Sequence, residues 1–179
     1  MSNRVNYVPS PALKAEVQKD GDAWTLILVR ELRHPPARVW EALTEPAQLA
    51  EWAPFDADRS LASVGPMKLT TVGAPTPQIA ETSVKRAERE KLLEFAWGGN
   101  LRWELEPVGS GTRLKLWHNI DRRFISWGAA GWHVCFDVLE HLLAGQPLGR
   151  TAGPDTMKLP AWQQLTAEYG KQLSGESAG

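Results

Sequence analysis

Apolar positions change their period along the chain, and each change marks an element. "LKAEVQKDGDAWTLILVREL" reads as two strand-like runs joined by a polar turn at Asp20-Gly21, a hairpin signal. The second run is rich in branched residues and stops near Arg33, ahead of Pro35 and Pro36. Proline at a first helical position suits "PPARVWEALT", where Val39, Trp40 and Leu43 share one helical face. Thr44 is placed to cap a second short helix opening at Pro46, with Leu49 and Trp52 inward. After Phe55 the period becomes two. Met67, Leu69 and Thr71 share a face, and "QIAETSVKRAERE" follows as a polar, exposed strand. Leu93, Phe95 and Trp97 form the next inward face, then Leu101, Trp103 and Leu105, with a hairpin turn at Gly98-Gly99-Asn100 between them. A turn at Gly109-Ser110-Gly111 leads into a strand that aligns Leu114, Leu116, His118 and Ile120. Arg102, Glu104, Glu106, Arg113 and Lys115 take the opposite parity, so the sheet has one wet side.

A long helix follows, from about residue 126 to residue 144, stopped by Gly145. Projected at about 100° per residue, Trp132, Cys135, Phe136, Val138, Leu139, Leu142 and Leu143 fall in one broad arc. His133, Asp137, Glu140 and His141 fall in another, which predicts a solvated polar face. "GQPLGRTAGPDT" then reads as a Gly/Pro-rich linker and "PAWQQLTAEYGKQL" as a last helix. Residues 1–10 read as a flexible lead, residues 11–145 as a single domain, and residues 146–179 as linker and C-terminal helix. Runs of strands segregated from helices predict an α+β architecture. The sheet must cover its apolar face, and the long helix is the available cover. A curved antiparallel sheet gripping a helix encloses a cavity unless side chains fill it.

Composition narrows the partners. Twenty basic residues against 21 acidic ones leave a net charge of −1, which argues against nucleic acid or an anionic membrane held by bulk electrostatics. Nine tryptophans stand beside two tyrosines and four phenylalanines, and such bulky rings pack a core or line a concave site. The single cysteine excludes an internal disulfide. The N-terminus has no apolar signal region, and no run reaches the roughly 18 apolar residues of a membrane span. A cytoplasmic protein is the expectation.

"VWEALTEPAQLAEW" resembles the signature of one branch of the SRPBCC superfamily, the START-like or birch-pollen-allergen-like proteins. That branch is named for the activator of the heat-shock-protein-90 ATPase. The residues carrying the resemblance are Val39, Trp40, Ala42, Leu43, Thr44, Pro46, Leu49 and Trp52. The early hairpin, "GSGTRLKLWH", "GWHVCFDVLEHLLAG" and "AWQQLTAEYG" are similar to bacterial members as well, so the resemblance spans residues 11–170. It implies the helix-grip fold: a curved antiparallel sheet around a long C-terminal helix, with two short helices after the early strands. Bacterial relatives often carry two glycines where this chain has Gly65-Pro66, and a glycine shortly after the strand histidine where it has Asn119-Ile120-Asp121.

The expected ligand pocket comprises Trp52, Phe55, Phe95, Trp97, Trp103, His118, Trp132, Cys135, Phe136 and Leu139. The same aromatics can instead pack a solid core. His118 is the polar member of an inward apolar face and is suited to orienting a ligand or to acid/base work. Arg30 shares parity with Trp24, Leu26 and Leu28, and either meets an anionic ligand head or, by preference, snorkels to the rim. Cys135 in the apolar arc reads as an inert small hydrophobe. His133, Asp137 and His141 have the helical spacing of metal ligands but no identifiable further ligand, so no metal is expected. No P-loop, dinucleotide fingerprint or nucleophile elbow appears, and no cofactor is expected. Binding of a small apolar or aromatic molecule is the leading expectation. A chaperone-regulatory module and a cyclase- or hydrolase-type pocket enzyme using His118 are the alternatives. No catalytic residue set is identified, and homodimerisation is left open.

Overall fold

The computed structural model describes residues 8–11, 15–73, 76, 78–151 and 154–174. Short turns make sequence neighbours pair. β1 (Ala15–Asp20) and β2 (Ala23–Leu32) form the first hairpin, closed by Gly21 and Asp22. After α1 (Pro36–Thr44) and α2 (Pro46–Trp52) come β3 (Phe55–Ala57), β4 (Gly65–Thr71) and β5 (Gln78–Glu88). β6 (Leu92–Ala96), β7 (Asn100–Val108) and β8 (Gly111–Asn119) complete the strands. A 3-10 turn at Arg122–Phe124 leads into α3 (Ile125–Leu143), then α4 (Pro154–Met157) and α5 (Pro160–Ser174).

All eight strands join one antiparallel sheet in the order β1-β2-β8-β7-β6-β5-β4-β3. The sheet curls into a half-barrel with α3 in its grip, the α+β helix-grip-like arrangement that the patterning predicts. The period-two faces are inward as expected. Leu93, Phe95, Leu101, Trp103, Leu105, Leu114, Leu116 and His118 are all buried, while β5 is mostly exposed. The turn between β6 and β7 places Gly99 so close to β8 that a Cβ there would lie 2.1 Å from the Asn119 carbonyl oxygen. Its φ of +121° also suits glycine.

Three local expectations need correction. Thr44 does not cap α2: its hydroxyl donates to the Trp40 carbonyl at 2.8 Å, and Glu45 occupies the cap position without a side-chain bond. Pro46 at the first turn has no amide proton to satisfy, which lessens the need for a cap. β3, with three residues, is too short for a period to reveal. α4 lies within the stretch read as linker. Of the lead, residues 1–7 are outside the described residues, whereas Ser10 is bonded to α3.

The largest correction concerns the polar arc of α3. His133 is 0% exposed and Asp137 4%, so this face is not solvated. α5 and the segment around Ser10 cover it, giving α3 a second buried side that a one-helix projection cannot show. The polar groups there bond mostly to one another, with Arg30 Nη1 left unpaired. Ser10 donates its amide (3.1 Å) and hydroxyl (2.6 Å) to the Asp137 carboxylate. His133 Nδ1 meets the Tyr169 hydroxyl at 2.7 Å, and Nε2 meets Ser10 Oγ at 2.9 Å and the Ser10 carbonyl at 3.0 Å. Arg30 completes the group. It is neither at the rim nor aimed at a ligand, because its guanidinium is buried against Asp137 and donates from Nε to Glu140 at 3.0 Å. Burial works against the Arg30 charge, but hydrogen bonds and attraction from Glu140 and Asp137 outweigh it and hold its pKa above normal. Only His141 of the expected arc stays exposed, with Glu140 partly so.

Replacing one partner of a buried pair strands the other charge, at a cost of about 3–5 kcal/mol. Arg30→Met is therefore expected to lower urea-unfolding stability by about that amount. Glu140→Gln, whose side chain is 40% exposed, should cost less than about 1 kcal/mol. Equal losses in the two variants would contradict the assignment of Asp137 as the dependent charge.

Candidate functional site

Strand parity brings the predicted inward aromatics together with α3, and the interior divides them into two groups. Trp52, Phe55, Phe95, Trp103, Phe136 and Leu139 are each 1% exposed or less and pack solidly. Trp103 meets Trp52 edge-on at 6.0 Å and Phe136 at 6.1 Å, and Phe55 meets Phe95 at 5.7 Å. These are favourable edge-to-face contacts that leave no slot between the rings. The Trp52 indole N–H is also used, donating to the Ala42 carbonyl at 2.9 Å.

Toward the N-terminal half of α3 the filling stops. A cavity of about 230 Å³ opens there, with Trp97, His118, Trp132 and Cys135 of the predicted set on its walls. Gly128 and Gly131 of α3 and Thr156 and Trp162 of the C-terminal segment also line it. Pattern reading missed these four. The glycine pair, three residues apart on one helical face, is a usable signal in the sequence, since glycine inside a helix costs roughly 1 kcal/mol against alanine. Thr156 and Trp162 are placed by tertiary docking alone. Trp127, 47% exposed, stands beside Trp162 at 5.9 Å.

β8 sets His118 opposite Leu26 of β2 and Leu101 of β7, on the inner face near the C-terminal end of β8. Its Nδ1 accepts the Trp132 indole N–H at 3.1 Å. An indole nitrogen can only donate, so the neutral imidazole carries its proton on Nε2. That nitrogen is buried and makes no hydrogen bond. Burial pushes the His118 pKa down to about 4; the Gly98 backbone favours the charged ring but does not reach Nε2 with hydrogen-bond geometry. Trp97 stacks beside the imidazole at 6.4 Å, its own indole N–H anchored on Thr71 Oγ1 at 3.1 Å. Two tryptophans thus fix the ring from two sides.

Burial pushes the Cys135 thiol up to about 12, with the Arg150 charge opposing only in part. Neither His118 nitrogen is bonded to Cys135, so the pair lacks the contact that activates a thiolate. Ser10, His133 and Asp137 likewise do not form a nucleophilic triad. The serine hydroxyl is tied to the carboxylate, and the outer imidazole nitrogen meets Tyr169 rather than an acid. Among the described residues, no group of three or more His, Cys, Asp or Glu is placed to hold a metal ion, and no helix is long and apolar enough to cross a membrane. The arrangement can bind: it offers an apolar space with a neutral, fixed imidazole on its wall.

The family described as Activator of Hsp90 ATPase homolog 1-like protein matches residues 33–144. No curated protein matches the chain. Among solved structures, the conserved protein of unknown function EF2215 from Enterococcus faecalis is similar at 19% identity and a TM-score of 0.67, over 90% of this chain and 91% of that one. CalU16 from Micromonospora echinospora is 17% identical with a TM-score of 0.64, over 90% and 97%. The protein encoded by BPP1335 from Bordetella parapertussis is 24% identical with a TM-score of 0.60, over 91% and 93%. At these identities the likeness concerns the fold.

The His118 shift fixes the sign of a pH effect. Between about pH 6.5 and about pH 4 the unfolded chain takes up a proton that the folded ring refuses. This contribution to stability is therefore full above pH 6.5, falls as the pH drops and levels off below about 4. The loss is on the order of 3 kcal/mol. His118→Gln, which cannot titrate, is expected to flatten urea-unfolding stability across that window. A slope identical to that of the parent would contradict a neutral, buried His118.

Proposed function

This chain belongs to the family described as Activator of Hsp90 ATPase homolog 1-like protein, and on that premise we propose that it binds a small apolar or aromatic molecule in the cavity between the sheet and α3. The observation that carries the reading is at Gly131. A Cβ built there meets nothing within 4 Å, and this half-buried position opens onto the space lined by Trp97, Trp132 and Cys135. Interiors are normally packed to crystal-like density. A helix that omits a side chain where one would fit gives up both propensity and dispersion contacts. Leaving room for an occupant is a reason to do so.

The space bounds the occupant. Drug-sized ligands fill roughly 300–1,000 Å³, and a dry cavity of roughly 150 Å³ holds benzene. At about 230 Å³ the fit is a single substituted ring or a compact bicycle. Edge and face contacts from Trp97 and Trp132, which meet at 6.0 Å and 77°, favour a flat molecule over a branched chain.

Filling the space from the helix tests the reading. Gly131→Leu is expected to weaken toluene binding, followed by ligand-observed NMR, by roughly tenfold or more. Gly131→Ala should raise stability by up to about 1 kcal/mol through helix propensity. A folded Gly131→Leu protein that binds toluene as the parent does would contradict the cavity as the binding site. Stimulation of chaperone ATP hydrolysis is the separate expectation attached to the family's description. Adding the chain to Hsp90 tests it, and the ligand reading expects no change in rate.

A further inference from the structure

The cavity is not walled by the family-matched region alone. That region ends at residue 144, whereas Trp162 of α5 stands on the cavity wall. Spacing along α5 explains how it gets there. Trp162, Leu165 and Tyr169 recur at three- and four-residue intervals, which puts them on one helical face. Leu165 and Tyr169 are buried, and Tyr169 bonds His133 of α3 at 2.7 Å. The ring pairs Trp127–Trp162 and His133–Tyr169 lie about two turns apart on both helices, so α5 runs alongside α3 in the same direction. Its later turns dock on α3, and the indole of its first turn closes over the space.

The walls differ in how they are held. Trp132 is 4% exposed with its indole N–H on His118, and the Trp97 indole N–H is tied to Thr71. Trp162 is only partly buried, and a further ring supports it. Trp127, 47% exposed and not itself on the cavity wall, meets it edge-on at 5.9 Å and 68°. Phe124 stands 5.8 Å from Trp127, so three rings run in a row from the 3-10 turn to α5. Resting on the binding reading above, we infer that Trp162 is the specificity-determining residue of the cavity: propped by Trp127, it sets the longest ligand the space admits. A molecule longer than one substituted ring or a compact bicycle must displace part of the lining. Displacing Trp97 or Trp132 breaks a hydrogen bond inside the protein. Moving Trp162 gives up ring contacts alone at a face that already meets solvent. Ligand length is therefore read on the C-terminal side, and the row of rings sets how stiffly.

Toluene and biphenyl, compared on the full chain by ligand-observed NMR, read this as a ratio of affinities. The parent is expected to favour toluene, and Trp162→Ala to shift the ratio about tenfold toward biphenyl. Trp162→Phe, which keeps a ring in the wall, should shift it by less than about threefold. Trp127→Ala removes the prop and leaves the wall, and should shift it about threefold in the same direction. Trp162→Leu, which keeps apolar contact with α3, should follow the alanine variant and decides the matter if that variant fails to fold. An unchanged ratio in the folded alanine or leucine variant would overturn the inference and leave the binding reading intact. So would a parent that already prefers biphenyl. Equal losses of both probes would mark Trp162 as a docking residue for α5 and overturn its selective role. An unchanged ratio in Trp127→Ala would overturn the part assigned to the prop. A parent that binds neither probe would instead overturn the binding reading itself.

Discussion

Arg30 and Asp137 meet inside the protein with almost no solvent around either, so each charge depends on the other for its stability. Their contact joins β2, next to the edge strand β1, to the C-terminal half of α3. The same carboxylate holds Ser10, and through His133 the cluster reaches Tyr169 on α5. Sheet, long helix, N-terminal segment and C-terminal helix are thereby referred to one polar point. Such a cluster is directional where apolar packing is not. It fixes the rotation of α3, and with it which residues face the sheet farther along the helix.

That rotation divides the interior. Around Trp103, Phe136 and Leu139 the side chains interdigitate and leave no room. One to two turns earlier, Gly128 lets Ile120 lie close against the helix, Gly131 leaves open space, and the walls become Trp97, Trp132 and His118. The imidazole is held by a hydrogen bond on one nitrogen and a stacked ring on its face, and it is kept neutral by burial. It is a fixed donor rather than a proton shuttle, because a ring that titrates near pH 4 stays in one protonation state at neutral pH. The high thiol pKa of Cys135 fits the same picture of a site built to hold a molecule.

Much of the fold was legible in the chain because period-two runs and short turns are local. The inward set from Leu93 to His118, the hairpin at Gly98-Gly99 and the covering role of α3 all follow from spacing. The candidate site was half legible for the same reason. Trp97, His118, Trp132 and Cys135 share the inner faces that parity and helical projection assign, but so do Trp52 and Phe95, which only pack. Nothing local separates a ring that fills a core from one that lines a void. The polar arc of α3 misled because projection treats a helix as having one buried side. His133 and Asp137 are covered by elements more than 30 residues away in sequence, Ser10 and Tyr169, and their partners appear only on docking. Arg30 misled likewise, since its partner lies 107 residues away in sequence.

The account stands or falls on whether the space beside Gly131 admits a ring. A crystal structure of the chain soaked with bromobenzene tests this most directly, through the anomalous signal of the bromine. The expected result is one bromine site between Trp97, Trp132 and Gly131, with the packed rings around Trp103 unmoved. A cavity collapsed by side-chain movement, or bromine found only on the surface, would contradict it.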